Sequence, residues 1–146
     1  MNDRERPLTS RGRRAARKMG KRLAGGDERP DLLVSSPARR ALKTARILAR
    51  KLRYSRRRIV VDPALYSHSA QGLLRMVRAL DERHACVMLI GHNPQLTALA
   101  HVFCSRIAHM PTCAVARLRF DAGSWSKISR SRLLRAALDY PKRPRT

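Results

Sequence analysis

The chain is poor in acidic residues and in aromatic rings. Ten Asp and Glu stand against thirty-three Lys and Arg among 146 residues, a formal net charge of +23. Trp, Tyr and Phe together make up 4%, so stacking platforms for unpaired bases are few, which weighs against a dedicated nucleic-acid binder. No apolar run approaches the roughly 20 residues a membrane helix needs. The longest, Ala85 to Ile90, suits a buried strand. The first thirty residues are basic and polar, without the apolar stretch of a secretory signal. Cys86, Cys104 and Cys113 are an odd set without metal-type spacing. They read as free thiols in a reducing compartment, two of them in apolar stretches. These absences lead us to expect a cytoplasmic monomer with no membrane partner, no metal and no cofactor.

What is present is a basic chain with 43% apolar residues, enough for a globular core. Its field attracts anions: phosphorylated substrates or, non-specifically, nucleic acid. Arginine-rich coding on solvated helix faces produces the same excess, so the charge indicates which ligands are tolerated and identifies none.

Thr9 is placed to cap a helix reaching about Ala24, with Ala15, Met19 and Leu23 on one face and Gly25-Gly26 ending it. A short strand, Leu32 to Ser35, precedes a helix opened by Ser36-Pro37 with the stripe Ala41, Ala45, Leu48 and Leu52. Arg56 to Arg58 marks an exposed loop before a strand at Ile59 to Val61. A third helix is expected over 70–83, carrying Leu73, Leu74, Val77 and Leu80. The apolar run Ala85 to Ile90 suits a central parallel strand covered on both faces, and a fourth helix follows it to about Arg106. From Ala114 to Phe120 apolar residues alternate with Arg117 and Arg119, a half-exposed strand, with Trp125 to Ile128 as its expected hairpin partner. This order predicts a three-layer α/β/α sandwich around a mainly parallel central sheet, over residues 1–140, with a basic, frayed tail at 141–146.

In open parallel sheets, ligands bind beyond the carboxyl ends of the strands. Two segments fall there. Ser35 to Ala41 passes from strand to helix and combines open N–H groups, the positive end of a helix dipole and two arginines, Arg39 and Arg40. Gly91-His92-Asn93-Pro94 ends the longest apolar strand, and its imidazole can donate to a phosphoryl oxygen or act as acid or base. Either feature alone is commonly structural. Their joint placement is the signal.

Four segments then resemble, in order, those of one family. Arg6-Pro7-Leu8-Thr9-Ser10-Arg11-Gly12 is similar to an R-P-L-T-x-x-G stretch, and Ser36 to Ala45 to S-P-x-x-R-A-x-x-T-A. Gly91 to Pro94 matches G-H-N-P, and Met110-Pro111-Thr112 resembles M-P-T. All belong to the SixA-like phosphohistidine phosphatases of the histidine phosphatase superfamily, which has a phosphoglycerate-mutase-like fold. The resemblance implies Arg40 as a phosphate-binding arginine, with Arg39 as the alternative, His92 as a catalytic histidine, and Thr112 as lining the pocket. It implies hydrolysis through a phosphohistidine intermediate, on a phosphorylated protein or a small phosphorylated substrate.

The same resemblance implies an Arg-His-Gly or Arg-His-Ala motif at the end of a first strand, with the nucleophilic histidine. No such motif occurs in these residues. Arg83-His84 shares only the dipeptide, at the end of a helix. Three accounts follow: a start assigned downstream of the true one or a shortened chain, a pseudoenzyme that binds phosphorylated ligands, or a basic nucleic-acid-binding protein on the same scaffold. A chain lacking that strand is expected to be inactive, and marginal in stability unless another segment fills the place. Asp62 to His68 holds no glutamate to serve as proton donor. The good leaving group of a P–N bond makes a strong general acid less necessary, so phosphohistidine is favoured over a phosphate ester. Asp62 itself reads as a turn former.

Overall fold

The structure, a computed structural model, describes residues 1–144. Its elements in chain order are α1 (Ser10–Ala24), β1 (Leu32–Ser35), α2 (Arg39–Lys51), β2 (Val60–Val61), α3 (Ala64–Ser67), α4 (Ala70–Arg78), β3 (Val87–Ile90), α5 (Gln95–Phe103), β4 (Val115–Phe120) and β5 (Leu133–Asp139). The fold is mixed α/β with a parallel sheet and flanking helices, as expected. Among the described residues no helix is long and apolar enough to cross a membrane. The chain forms two compact units, Met1–Ser67 with His84–His92, and His68–Arg83 with the chain from Asn93 onward.

In the first unit, β1 pairs in parallel with β2 on one side and β3 on the other. Leu32 to Ser35 lie opposite Val87 to Ile90. Leu33, Ala45, Ala49 and Tyr54 form its core, with Ile59, Met88 and Ile90 packed against them. The Tyr54 hydroxyl accepts from the Leu33 N–H at 3.2 Å and donates to the Arg58 carbonyl at 2.8 Å, joining β1 to the loop before β2. Thr9 caps α1 as expected, its hydroxyl accepting from the Gly12 N–H at 3.0 Å.

Several boundaries differ from expectation. On α1 the buried residues are Ala16, Met19 and Gly20 rather than a stripe through Ala15 and Leu23, both half-buried. A Cβ at Gly20 would lie 2.8 Å from Lys51 Cγ, so this glycine lets α1 approach α2, and that approach selects the face. Helix α2 starts at Arg39, not Pro37, because the buried Ser36 hydroxyl accepts from the Ala38 N–H at 3.1 Å and holds 36–38 as a turn. Strand β3 is shorter than the apolar run. The Asp31 carboxylate takes the N–H groups of Ala85 (2.8 Å) and Cys86 (3.4 Å) that a longer ladder would use. Nor is β3 central: it is the edge of its three-stranded sheet, and its residues are half-buried rather than covered on both faces.

In the second unit, α4 ends at Arg78 instead of continuing to Arg83. Asp81 accepts the Arg83 N–H at 2.9 Å, a local turn that competes with helix. Helix α5 stops at Phe103 because Cys104 turns extended, and Cys104, Ile107 and Ala100 form a core with Met110, Ala116, Leu118, Leu133 and Ala136. Strand β4 shows the expected alternation, with Arg117 and Arg119 exposed. Its partner is not Trp125 to Ile128. That segment is a 3₁₀ turn tied to α4: Glu82 accepts from the Trp125 N–H at 3.1 Å, and Arg78 donates to the Ile128 carbonyl at 2.9 Å. The true partner is antiparallel β5, running from Phe120 opposite Leu133 to Val115 opposite Asp139. Of the basic tail, Arg145 and Thr146 lie outside the described residues. Arg143 donates to the Leu138 carbonyl at 2.9 Å.

Candidate functional site

The parallel register of the first unit carries β1 and β3 to the same end, Ser35 beside Ile90. The Ser36 N–H donates to the Ile90 carbonyl at 2.8 Å, so the ladder runs one bond further before the two chains part into their turns. Ser36 and His92 stand where they part. Their side chains meet, His92 Nε2 lying 2.7 Å from Ser36 Oγ. On its other side His92 Nδ1 lies 3.4 Å from Arg40 Nη2. A guanidinium can only donate, so Nδ1 accepts and the ring proton sits on Nε2, directed at Ser36.

Arg40 rises from the first turn of α2, its side chain 23% exposed. Nη1 donates to the Asp3 carbonyl at 2.7 Å and Nη2 to Asp3 Oδ2 at 3.1 Å. The same carboxylate oxygen accepts from the Tyr66 hydroxyl at 2.9 Å, and Oδ1 pairs with Arg6 at 2.8 Å. The Tyr66 ring meets His92 edge to face at 5.4 Å between centroids. A continuous network thus runs from Tyr66 through Asp3 and Arg40 to His92 and Ser36. The open N–H groups of the α2 first turn add a further anion-attracting element.

The electrostatics follow from these contacts. Burial, and then the Arg40 charge, hold the His92 pKa below its usual 6.5, with Asp3 opposing, so the imidazole is neutral at pH 7. Hydrogen bonds from Tyr66 and then Arg40 lower the Asp3 carboxyl, while the bond to Asp3 raises the Tyr66 phenol. Asp3 is therefore a fixed anion and Tyr66 a fixed donor. Among the described residues no group of three His, Cys, Asp or Glu is arranged to hold a metal.

Of the residues singled out in the sequence, Arg40 and His92 are brought into contact. Arg39 is exposed, and Asp62 is a turn former whose carboxylate accepts the Ala64 N–H at 2.9 Å at the start of α3. Thr112 belongs to the second unit, exposed in the turn before β4. Sequence reasoning missed Asp3 and Tyr66 and left Ser36 without a role. Asp3 had one local signal, its position three residues before Arg6. Tyr66 had none, since its partner lies 63 residues away.

Residues 2–70 match the sequence model of the histidine phosphatase superfamily (branch 1). No curated protein matches the chain. Three solved structures are similar over most of its length. A candidate phosphohistidine phosphatase SixA from Nakamurella multipartitia has a TM-score of 0.84 at 21% identity, covering 98% of this chain and 89% of that one. A candidate phosphohistidine phosphatase SixA from Agrobacterium tumefaciens has a TM-score of 0.75 at 27% identity, covering 82% and 80%. The protein histidine phosphatase SixA complexed with tungstate has a TM-score of 0.77 at 23% identity, covering 96% and 87%.

Proposed function

We propose that this chain, whose residues 2–70 match the histidine phosphatase superfamily model, is a member of that superfamily and receives the phosphoryl group of a protein-borne phosphohistidine at the Arg40–His92 cluster. One observation carries the reading. Two groups suited to a phosphoryl oxyanion, 52 residues apart in sequence, meet at 3.4 Å where the ends of parallel strands open. The tungstate held by a similar protein, a tetrahedral oxyanion, supports the same ligand class.

Arg40 supplies a permanent charge in a two-armed fork. Neutral His92 contributes one N–H, now resting on Ser36 and free to swing to a phosphoryl oxygen. A covalent phosphohistidine route needs a second histidine as nucleophile. Of the other four histidines, His84 lies 3.7 Å from Asp31, His101 bonds the Ile107 carbonyl, His68 packs on Gly72 and His109 is exposed in the loop after α5. We expect these 146 residues to bind phosphate without turnover. Steady hydrolysis of an aryl phosphate, abolished by His92→Ala, would overturn that part of the reading.

Calorimetric titration with inorganic phosphate tests the site. We expect a Kd of about 1 mM, or about −4 kcal/mol. Arg40→Ala should weaken binding at every pH, whereas His92→Ala should matter most once the pH falls through the lowered pKa of His92, below its usual 6.5, and the ring gains its charge. Binding that ignores both substitutions but responds to Arg56→Ala or Arg57→Ala would place the anion on the exposed arginine loop instead.

A further inference from the structure

Arg40 is the strongest anion-binding group of the cluster, and its fork is already taken. Both arms end on Asp3, one on the carbonyl and one on the carboxylate. That carboxylate is also gripped by Arg6 at 2.8 Å and Tyr66 at 2.9 Å. Two guanidinium groups and a phenol converging on anionic oxygens form the donor set a phosphoryl group would use. The hold is loose in one respect. The Asp3 side chain is 52% exposed, on a three-residue 3₁₀ turn (Asp3–Glu5) that buries none of its residues. That turn is closed locally, by Asn2 accepting the Glu5 N–H at 3.0 Å.

We propose that Asp3 is a built-in competitor for the phosphoryl group, occupying Arg40 in the free protein and leaving when a doubly charged ligand enters. The proposal rests on the reading of Arg40 and His92 as the phosphoryl site. The carboxylate and a phosphoryl group cannot share one fork: their donors coincide and their like charges repel at contact distance. A dianion gains more from the same guanidinium than a monoanion does, so the exchange favours phosphoryl groups over carboxylates and halides. Asp3 thereby sets selectivity by charge, keeping the fork ordered and closed to singly charged anions. It also lowers the apparent affinity, by the fraction of molecules in which Arg40 is free. Departure of Asp3 releases the Tyr66 hydroxyl as a further donor beside the ligand.

The test is calorimetric titration with inorganic phosphate near neutral pH, at constant ionic strength, on the chain and four variants. Asp3→Asn and Asp3→Ala should each lower Kd about three- to tenfold. Glu5→Gln removes the same charge from the same turn without a contact to Arg40, and should leave Kd within about twofold. Thermal unfolding of each variant, expected to match the parent for the exposed Asp3 and Glu5 positions, confirms that folded protein is compared. Unchanged or weaker binding in both Asp3 variants overturns the competitor while the site reading stands, provided Arg40→Ala still weakens binding. Equal tightening by Glu5→Gln also overturns it, since net charge alone then accounts for the effect. Should Arg40→Ala leave phosphate affinity unaltered, the site reading fails and the competitor falls with it.

Discussion

The two units use their strands differently. In the first, β1, β2 and β3 run parallel, so their carboxyl ends lie side by side and the turns that follow converge. Ser36 and His92 come from two such turns, and Arg40 from the helix after one of them. In the second, β4 and β5 run antiparallel and share their residues between two faces, Ala116 and Leu118 inward to a core, Arg117 and Arg119 outward. A parallel arrangement gathers polar groups at an end. An antiparallel hairpin spreads them over a surface, which is why the candidate chemistry concentrates in one unit although arginines are abundant in both.

This contrast can be broken at the cores. Phe103 is 2% exposed and stacks edge to face on Phe120 at 4.9 Å, and Leu33 is fully buried in β1. Phe103→Ala should cost about 3–5 kcal/mol and Leu33→Ala about 2–5 kcal/mol, measured by urea unfolding. Under fully folded conditions Phe103→Ala should leave phosphate affinity intact, whereas Leu33→Ala, two residues before Ser35, should weaken it. Equal effects of both on phosphate affinity would show that the site does not depend on the first unit alone.

A smaller effect is expected from Tyr54→Phe, which removes an acceptor from the Leu33 N–H and a donor to Arg58. Leaving a buried N–H without a partner costs about 1–3 kcal/mol, again read from urea midpoints. A loss below the range would mean that water replaces the hydroxyl there.

The smallest effect concerns pH. The folded pKa of His92 lies below its unfolded 6.5, so the unfolded chain takes up this proton first as the solution is acidified. The His92 contribution is therefore complete above 6.5 and is lost as the pH falls from there through the folded pKa. His92→Gln should flatten this part of the stability–pH curve. A wild-type curve that keeps its slope after the substitution would assign the dependence to another group.

Much of the first unit was legible because its signals are local. The Thr9 cap, the boundaries of β1 and the stripe Ala41, Ala45, Leu48 follow from steric and hydrogen-bonding preferences within a few residues. The juxtaposition of Arg40 and His92 followed from one topological rule about strand ends. The hairpin partner of β4 was not legible. Leu133 to Asp139 is rich in Leu and Ala, good helix formers, and becomes a strand only because pairing with β4 outweighs that weak preference.

The sequence by itself thus determined the alternation of helices and strands, the residue types available for binding an oxyanion, and the turns on which two of them stand. Tertiary structure decided which strands pair, that β3 forms an edge, and that Asp3 and Tyr66 join a cluster whose other members lie up to 89 positions away from Asp3. The reason is one of range. Propensity, capping and periodicity act over a single turn or strand, whereas the contact of a carboxylate with a distant guanidinium and phenol exists only once the chain has closed on itself.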